Sequence, residues 1–241
     1  KGVRDSAVSA VGKLGAAAAT PPFLAALAEL LGDPDKGVRD SAVSAVGKLG
    51  AAAATPPILA ALADLLRGPN EDLRYWVAEV VRKLGAAAAT PPILESLTGL
   101  LRDPDKGVRH SGAKAMGLIG AAAATPPILA VLAEWLHDSN GNLWAAVYAV
   151  TAIGPAAATP PILAALADLL RDPDKGMRDS AVLTVGELGA AAATPPFLAA
   201  LADLLQDPDV NVRDSAAMAV GLIGAAAATP PILAEIGRAQ V

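Results

Sequence analysis

A short string of residues recurs at a fixed interval and constrains the fold more than any other feature of the sequence. The string Ala-Ala-Ala-Thr-Pro-Pro occurs seven times, and its copies are 35 residues apart except for one interval of 34. The segment Lys1 to Pro22 is repeated letter for letter as Lys36 to Pro57, which indicates recent duplication or assembly from a consensus. A period of this length is typical of stacked repeats, in which each unit buries its apolar face against its neighbours.

We therefore expect a single repeat array that forms part of a longer chain. The threonines that mark the seven copies are Thr20, Thr55, Thr90, Thr125, Thr159, Thr194 and Thr229. The shorter interval precedes Thr159, so one residue is missing in the fifth unit. The expected units are 1–35, 36–70, 71–105, 106–140, 141–174, 175–209 and 210–241.

Each unit is predicted to contain two helices, called here helix A and helix B. In the second copy, Thr55 is a good N-cap and Pro56 suits the first helical position, so helix A should begin there. An apolar stripe with helical spacing follows, with Asp64 facing outward. The predicted buried residues of this stripe are Ile58, Leu59, Leu62, Leu65 and Leu66.

Helix A should end at an Asp-Pro-Asp turn such as Asp33-Pro34-Asp35, whose second aspartate can cap helix B. A glycine in a left-handed conformation, such as Gly50, is expected to close helix B. The alanine tract after it fits either a connector or a further helical turn. The apolar face of helix B in the second copy comprises Val38, Ala42, Ala45, Val46 and Leu49.

Composition narrows the classes of function. The hydrophobic fraction of 54% is largely alanine and only 3% of residues are aromatic, which indicates a thin core and closely spaced helices. The absence of cysteine excludes disulfides and thiolate metal sites but fixes no compartment. A net charge of −5 argues against a nucleic-acid partner. Apolar runs such as Leu49 to Ala63 are interrupted by a glycine, a threonine and a pair of prolines, so we predict no membrane span.

The order of signals within a unit resembles that of bacterial HEAT-like repeats, including the PBS-lyase HEAT-like class. These signals are a proline-started helix, an Asp-Pro-Asp turn, Val-Arg, and a small-residue helix that ends in Leu-Gly, and they extend along the whole chain. The resemblance implies an all-α fold, a right-handed superhelix of about seven helix pairs. It also implies a structural ladder of Asp and Arg side chains between neighbouring repeats. The matching residues are Arg4, Arg39, Arg74, Arg109, Arg178 and Arg213, with Asp33, Asp103, Asp172 and Asp207.

The pattern breaks in the middle of the chain, where Gly68-Pro69-Asn70 and Asp138-Ser139-Asn140 replace the usual turn. Trp144 occupies what we interpret as the arginine position of the fifth unit, beside the deletion. HEAT arrays usually line their concave surface with the B helices, so substitutions at outward B positions are where specificity would arise. One of the three outward rows is predicted to comprise Gly47, Arg82, Gly117, Thr151, Gly186 and Gly221.

Aromatic and charged residues concentrate at these outward positions and form a candidate binding patch. Trp, Tyr and Arg are enriched in protein-binding hot spots. The alternative is that the aromatic side chains fill gaps where the repeat register slips, and core filling is favoured for Trp135, which replaces a helix A leucine. The candidate partner-binding residues are Tyr75, Trp76, Glu79, Arg82, His110, Lys114, Trp144 and Tyr148.

Catalytic and cofactor sites find little support in the sequence. The two histidines, His110 and His137, belong to no spaced ligand pair. Ser111 adjoins His110, but consecutive helical residues point in different directions and do not form a nucleophile and base pair. We expect no enzyme activity, metal or cofactor.

Three hypotheses of function follow. The first is a scaffold that binds a peptide or protein on the concave B-helix surface, as the recognition segment of a larger protein. The second is a structural repeat protein that self-associates end to end through open repeat ends. The third is a subunit of a lyase or another enzyme.

Overall fold

The computed structural model describes residues 14–138 and 142–238, and these residues form α-helices, short 3₁₀ turns and connecting turns. Thirteen α-helices lie within these ranges, with no β-strand among them. The chain is an α-solenoid built from helix pairs. It divides into two compact units, one ending at Ala123 and one beginning at Ala124.

The first unit has two layers of helices. The A layer contains α1 (Pro21–Leu31), α3 (Pro56–Leu66) and α5 (Pro91–Leu100), which pack side by side. The B layer contains α2 (Lys36–Leu49), α4 (Glu71–Leu84) and α6 (Lys106–Ile119), which pack in the same way. Each A helix also contacts the B helix that follows it, so the core lies between the layers.

The second unit repeats this arrangement. Its A layer contains α7 (Pro126–Leu136), α9 (Pro160–Leu169), α11 (Pro195–Leu204) and α13 (Pro230–Arg238). Its B layer contains α8 (Leu143–Ile153), α10 (Lys175–Leu188) and α12 (Val210–Ile223). None of the helices in the described ranges combines the length and the apolar character that crossing a bilayer would require.

Each described A helix begins at the first proline of its Thr-Pro-Pro start, as predicted. At the starts from Thr20 to Thr194, however, the threonine does not cap the helix through its side chain. Thr55 has an extended backbone (φ −89°, ψ 151°), and its carbonyl oxygen accepts the first helical bond from the Leu59 N–H at 2.9 Å. No side-chain cap bond forms at Thr55. The two prolines that follow carry no N–H, which removes one of the two amides, at the second and third helical positions, that a cap normally binds.

The Asp-Pro-Asp turns cap the B helices as predicted. Asp33 Oδ1 accepts a hydrogen bond from the Asp35 N–H at 2.8 Å and so closes the turn. Asp35 Oδ1 then accepts from the N–H groups of Gly37 at 2.8 Å and Val38 at 3.2 Å, at the start of α2. At the variant turn before α4, Asn70 takes the same role and accepts from the Leu73 N–H at 2.8 Å.

A glycine with positive φ ends each B helix, but its conformation is not the left-handed helical one that we expected. Gly50 has φ 57° and ψ −143°, and the glycines at the equivalent position of the other repeats have φ between 56° and 73°. This combination lies close to a region of backbone space that is essentially restricted to glycine. The sequence therefore indicated the right residue and the sign of φ but not ψ.

The alanine tract that follows is a single 3₁₀ turn and then a tighter turn. Gly50–Ala53 forms the 3₁₀ segment. Ala54 then adopts φ −75° and ψ 57°, and the Thr55 N–H donates to the Ala53 carbonyl oxygen at 2.7 Å, which is an inverse γ-turn. This sequence of turns brings the chain from the end of one B helix to the next A helix.

The buried faces follow the predicted periodicity with one exchange. In α3, Ile58, Leu59, Leu62 and Leu66 are buried, whereas Leu65 is only half-buried and Ala63 is buried in its stead. The predicted face of α2 is buried in full. Trp135 is buried in α7, which agrees with its interpretation as a core residue.

The missing residue of the fifth unit lies before α8, and this corrects our assignment of Trp144. The buried residues of α8 match those of α6 at a constant offset of 34, for example Ile153 with Ile119. At this offset Trp144 corresponds to His110, and Leu143 corresponds to Arg109. Trp144 therefore does not occupy the arginine position, because the missing residue lies on the N-terminal side of Leu143.

Candidate functional site

The aromatic side chains of the predicted patch are exposed on B helices and do not fill gaps in the core. In the first unit, Trp76 is 62% exposed and Tyr75 is 37% exposed, both in the first half of α4. Their rings meet edge to face, with centroids 5.5 Å apart and an angle of 86° between the planes. Large apolar side chains that stay in solvent at this level are available for contact with a partner.

Tyr75 and Trp76 face different neighbours. A Cβ placed on Gly107 would lie 3.8 Å from Tyr75 Cδ2, so Tyr75 leans over the first turn of α6. Trp76 lines a groove on the other side of α4, toward α2. The two rings therefore belong to one aromatic pair whose members border two successive helix–helix seams.

Polar members of the predicted patch form a local network on α4 and α6. Arg82 Nε donates to Glu79 Oε2 at 2.9 Å, and Ser111 Oγ lies 3.3 Å from Glu79 Oε1. Lys114 is exposed on α6, and His110 is half-buried one turn earlier. The charge of Glu79 is thus compensated within the patch.

The groove between α2 and α4 has a volume of about 440 Å³. Trp76 and Leu73 lie at one end, and Val43 and Val80 line the middle. The pattern of the sequence does not predict this groove, because the groove depends on side chains from two helices. Its remaining lining consists of Asp40, Ser44, Gly47, Glu79, Arg82 and two lysines, Lys48 and Lys83.

The absence of a side chain at Gly47 gives the groove its shape. A Cβ on this residue would lie 3.0 Å from Val80 Cγ2, which is closer than a Cβ can approach without displacing the valine. The Lys83 side chain extends over the same place, with Nζ 3.9 Å from the position of that Cβ. The lysine of α4 therefore reaches across to α2.

The row that contains Gly47 is not an outward row, which corrects our prediction. Gly117 and Gly186 are buried, and a Cβ on Gly186 would lie 3.0 Å from the Cα atom of Ala219 in α12. Thr151 Oγ1 lies 2.7 Å from Thr184 Oγ1 on the next B helix. These positions lie at the contact between B helices, where small side chains allow close approach, and Gly221 alone of this row's glycines is exposed.

Trp144 and Tyr148 belong to the second unit, on α8. They are 55% and 43% exposed and one helical turn apart, so they lie on the same face of that helix. They form a second exposed aromatic pair, within that unit.

Arginine and aspartate side chains connect successive repeats at the start of the B helices, and each unit contains an example. Arg74 donates to Asp103 through Nε at 2.7 Å and Nη2 at 3.1 Å. Arg178 donates to Asp207 in the same two-point manner, at 2.8 and 3.0 Å. All four side chains are largely buried, and a planar guanidinium that binds a carboxylate at two points fixes the register of the helices that carry it.

The arginines also hold their own turns, a role that the sequence analysis did not identify. The Nη1 groups of Arg39, Arg109, Arg178 and Arg213 each donate to two carbonyl oxygens of the preceding Asp-Pro-Asp turn. Arg74 donates similarly to the Gly68 carbonyl oxygen at 2.9 Å.

The pairing is not uniform along the chain. Gly68 stands where a carboxylate would receive Arg39, and Leu143 stands where an arginine would reach Asp172. Asp172 Oδ1 keeps the bond within its own turn, from the Asp174 N–H at 2.7 Å, which the arginine-paired aspartates also make. Arg4 lies outside the described residues.

Ion pairing changes the acidity of two aspartates in the second unit. The hydrogen bond from Arg178 lowers the pKa of Asp207 below its usual value, against a smaller opposing effect of burial. The hydrogen bond from Lys175, at 2.7 Å, lowers the pKa of the half-buried Asp209, which also accepts from the Asn211 N–H. The pKa of Lys175 is raised by the same contact.

The histidines lie apart from one another in sequence and element. His110 is in α6, and His137 follows the last turn of α7. Within the described ranges, no three His, Asp or Glu side chains converge as ligands for a metal ion.

Two models of HEAT-type repeat families match the sequence of this chain. The family model for HEAT repeats matches residues 59–145, and the model for the PBS lyase HEAT-like repeat matches residues 3–29 and 38–64. No curated protein sequence matches the chain.

Solved structures with a similar fold include designed armadillo repeat proteins and engineered proteins. One is a designed armadillo repeat protein in complex with the peptide (KR)4, with a TM-score of 0.66 and 18% identity over 83% of this chain and 99% of that one. Another is an engineered protein from a structural genomics programme, with a TM-score of 0.64 and 19% identity over 84% of this chain and 97% of that one. A third is among computationally designed armadillo repeat proteins for modular peptide recognition, with a TM-score of 0.61 and 20% identity over 83% of this chain and 100% of that one. Repeat folds of this kind are typically interaction scaffolds without catalytic activity.

Proposed function

Since this chain is a HEAT-like repeat protein, we propose that it holds a peptide or protein partner against the exposed face of its B helices. The observation that carries this proposal is the exposure of Trp76 at the edge of the groove between α2 and α4. An exposed tryptophan beside an apolar groove is a common centre of a binding hot spot, because it offers a large contact area with few rotatable bonds.

The remaining patch residues of the first unit fit a supporting role. Tyr75 extends the apolar surface, while Glu79, Arg82, His110 and Lys114 supply a polar border. Interfaces with an aromatic centre and a polar rim follow this pattern. Trp144 and Tyr148 are proposed as a second contact point, within the second unit.

The fold comparison gives the proposal further support. A designed armadillo repeat protein of similar fold was solved with a bound peptide. At 18% identity this likeness concerns the fold, so the partner of the present chain must be inferred from its own surface. We infer a scaffold and not an enzyme, with protein or peptide as the class of partner.

Selection from a random-peptide library displayed on phage tests this function and assumes nothing about the sequence of the partner. We expect wild-type protein to enrich peptides whose affinity falls about thirtyfold in Trp76→Ala, the loss typical of a hot-spot residue. The affinities would be measured by fluorescence anisotropy with synthetic peptides.

Asp203→Ala is the matched control, because Asp203 is exposed on the A helix α11 of the second unit. It should bind the selected peptides as the wild type does, and circular dichroism should show equal helicity for all three proteins. Failure to enrich any peptide that depends on Trp76 would refute the assignment of this surface.

A further inference from the structure

We propose that the groove between α2 and α4 recognises an acidic protein segment, with an apolar side chain against Trp76 and carboxylates at Lys48 and Lys83. This inference rests on the proposed function and specifies the chemistry of the partner. It follows from the charges, the apolar lining and the spacing of the groove.

The charges at the two ends of the groove differ. Lys48 and Lys83 stand at the end where α2 and α4 terminate, and neither ammonium group forms an ion pair with a carboxylate of the described residues. The nearby Arg82 and Glu79 neutralise each other at 2.9 Å. Within the described residues, this end of the groove therefore carries two positive charges that no carboxylate offsets.

The middle of the groove is apolar. Val43 of α2 and Val80 of α4 are largely buried and form its floor, and Gly47 adds no side chain above them, so that only the flexible Lys83 side chain passes over this place. Trp76 stands at the rim of this space. A branched aliphatic or aromatic side chain that lies on the valines would gain contact with the indole as well.

Helix geometry sets the distance between the two features. Trp76 and Lys83 are seven residues apart on one helix, which corresponds to about 10 Å along its axis. An extended peptide advances about 3.3 Å per residue, so the carboxylates should follow or precede the apolar side chain by about three residues. The recognised segment would have the form apolar, two residues of any type, then acidic.

Other charged partners fit this groove less well. A basic segment would place its cations beside Lys48 and Lys83, with only Asp40 to offset them. A nucleic acid would gain two phosphate contacts at a protein whose net charge is −5, and phosphate-backbone binding normally needs several cations. An acidic segment of a protein partner, by contrast, can bind with only two cations, one for each of its carboxylates.

Nuclear magnetic resonance titration of the full chain tests the inference with defined probes. The probes are the blocked peptide Leu-Ser-Ser-Glu-Glu, the matched peptide Leu-Ser-Ser-Lys-Lys and oligothymidine. The readout is the indole Nε1–H signal of Trp76, which Trp76→Phe identifies among the three tryptophans. The acidic peptide should shift this signal saturably, and the basic peptide should not.

Substitutions in the groove test whether its charges determine binding while the fold is unchanged. The double substitution Lys48→Ala with Lys83→Ala should lower the affinity for the acidic peptide at least about fivefold, as expected for the loss of two exposed ion pairs. Asp40→Asn lies in the same groove and should leave the affinity equal or slightly higher. Because all three residues are exposed, these variants should keep the wild-type helicity.

Each contrary result has a distinct meaning. The proposed chemistry would be overturned if the basic peptide or oligothymidine bound more tightly at Trp76 than the acidic peptide. It would also be overturned if the lysine substitutions left the affinity for the acidic peptide unchanged. Tighter binding of the basic peptide alone would leave the peptide-binding function in place. Absence of any indole shift with every probe, together with a library that yields no Trp76-dependent peptide, would overturn both.

Discussion

A glycine at the end of every B helix is the most stringent requirement at the level of single residues. Its φ near +60° with ψ near −143° turns the chain into the 3₁₀ segment that leads to the next A helix. The sequence predicted this glycine from its recurrence, because few other residues are tolerated at positive φ. It could not give ψ, since two different turns satisfy the same spacing.

Two glycines at the end of α12 allow the effect of backbone conformation on stability to be measured apart from the effect of packing. Gly221 and Gly224 both have open space around the position of a Cβ, but only Gly224 has a positive φ, of 70°. We expect Gly224→Ala to destabilise the protein by about 1–3 kcal/mol through backbone strain. Gly221→Ala should stabilise it by about 0.5–1 kcal/mol, because alanine favours the helix.

Thermal unfolding followed by circular dichroism would measure both variants against the wild type. Midpoints that shift in the same direction would contradict the conformational explanation. The pair needs no further control, since each variant adds the same methyl group.

The N-caps show why residue type alone was insufficient at the starts of the A helices. Threonine is a good cap in general, yet Pro56 and Pro57 leave no N–H at the first two helical positions for Thr55 to bind. The aspartates of the turns were predicted correctly, because the residues after Asp35 do carry those N–H groups. The prediction of a threonine cap was therefore wrong because of the residues that follow the threonine, and not because of the threonine itself.

At the level of elements, buried ion pairs fix the register between one helix pair and the next. Arg178 is tied both to its own turn and to Asp207 of the following repeat. Removal of the carboxylate would leave the guanidinium largely buried without a charged partner, which is more destabilising than the loss of an exposed pair.

We expect Asp207→Asn to destabilise its repeat by about 2 kcal/mol at neutral pH and to lower the urea midpoint. Because the folded protein lowers the pKa of Asp207 below its unfolded value of about 3.9, the ionised form contributes stability above that pH. This contribution is lost as the pH falls through the lower, folded pKa. The difference in the free energy of unfolding between the variant and the wild type should therefore become smaller in acid.

Urea unfolding of both proteins over a series of pH values would measure this effect. Asp203→Asn, at an exposed position of α11, should match the wild type at every pH. A difference for Asp207→Asn that stays constant into strong acid would show that the ion pair is not its cause.

Register also limited what could be predicted of the candidate site. The deletion in the fifth unit could be placed only once the buried residues of α8 were known, and this moved Trp144 from the arginine position to that of His110. The groove was missed because Lys83 of α4 reaches Gly47 of α2, a contact between two helices that helical periodicity within one element does not report. The exposed aromatic residues, by contrast, stood out as departures from the repeat.

At the level of the whole molecule, most helices contact only the partner in their pair and the nearest helices of the adjacent repeats. Stability in such arrays is approximately a sum over repeats and their interfaces. A defect in the core should thus act locally.

Leu62→Ala tests this locality, because Leu62 is fully buried in α3. Removing it should cost about 2–5 kcal/mol and accelerate amide hydrogen exchange mainly in α1 to α6. Leu166→Ala, at a fully buried site in α9, should instead accelerate exchange mainly within the second unit. Hydrogen exchange measured by mass spectrometry would compare them, and an equal loss of protection in all helices for both variants would indicate one cooperative block.

The ion pairs that align the repeats lie at the start of the B helices, whereas the groove residues Ser44, Lys48 and Lys83 lie further along them. Substitutions that alter recognition therefore need not disturb alignment. A lineage that duplicates such repeats can change its partner by small steps, one copy at a time, while the framework that carries each copy is inherited intact.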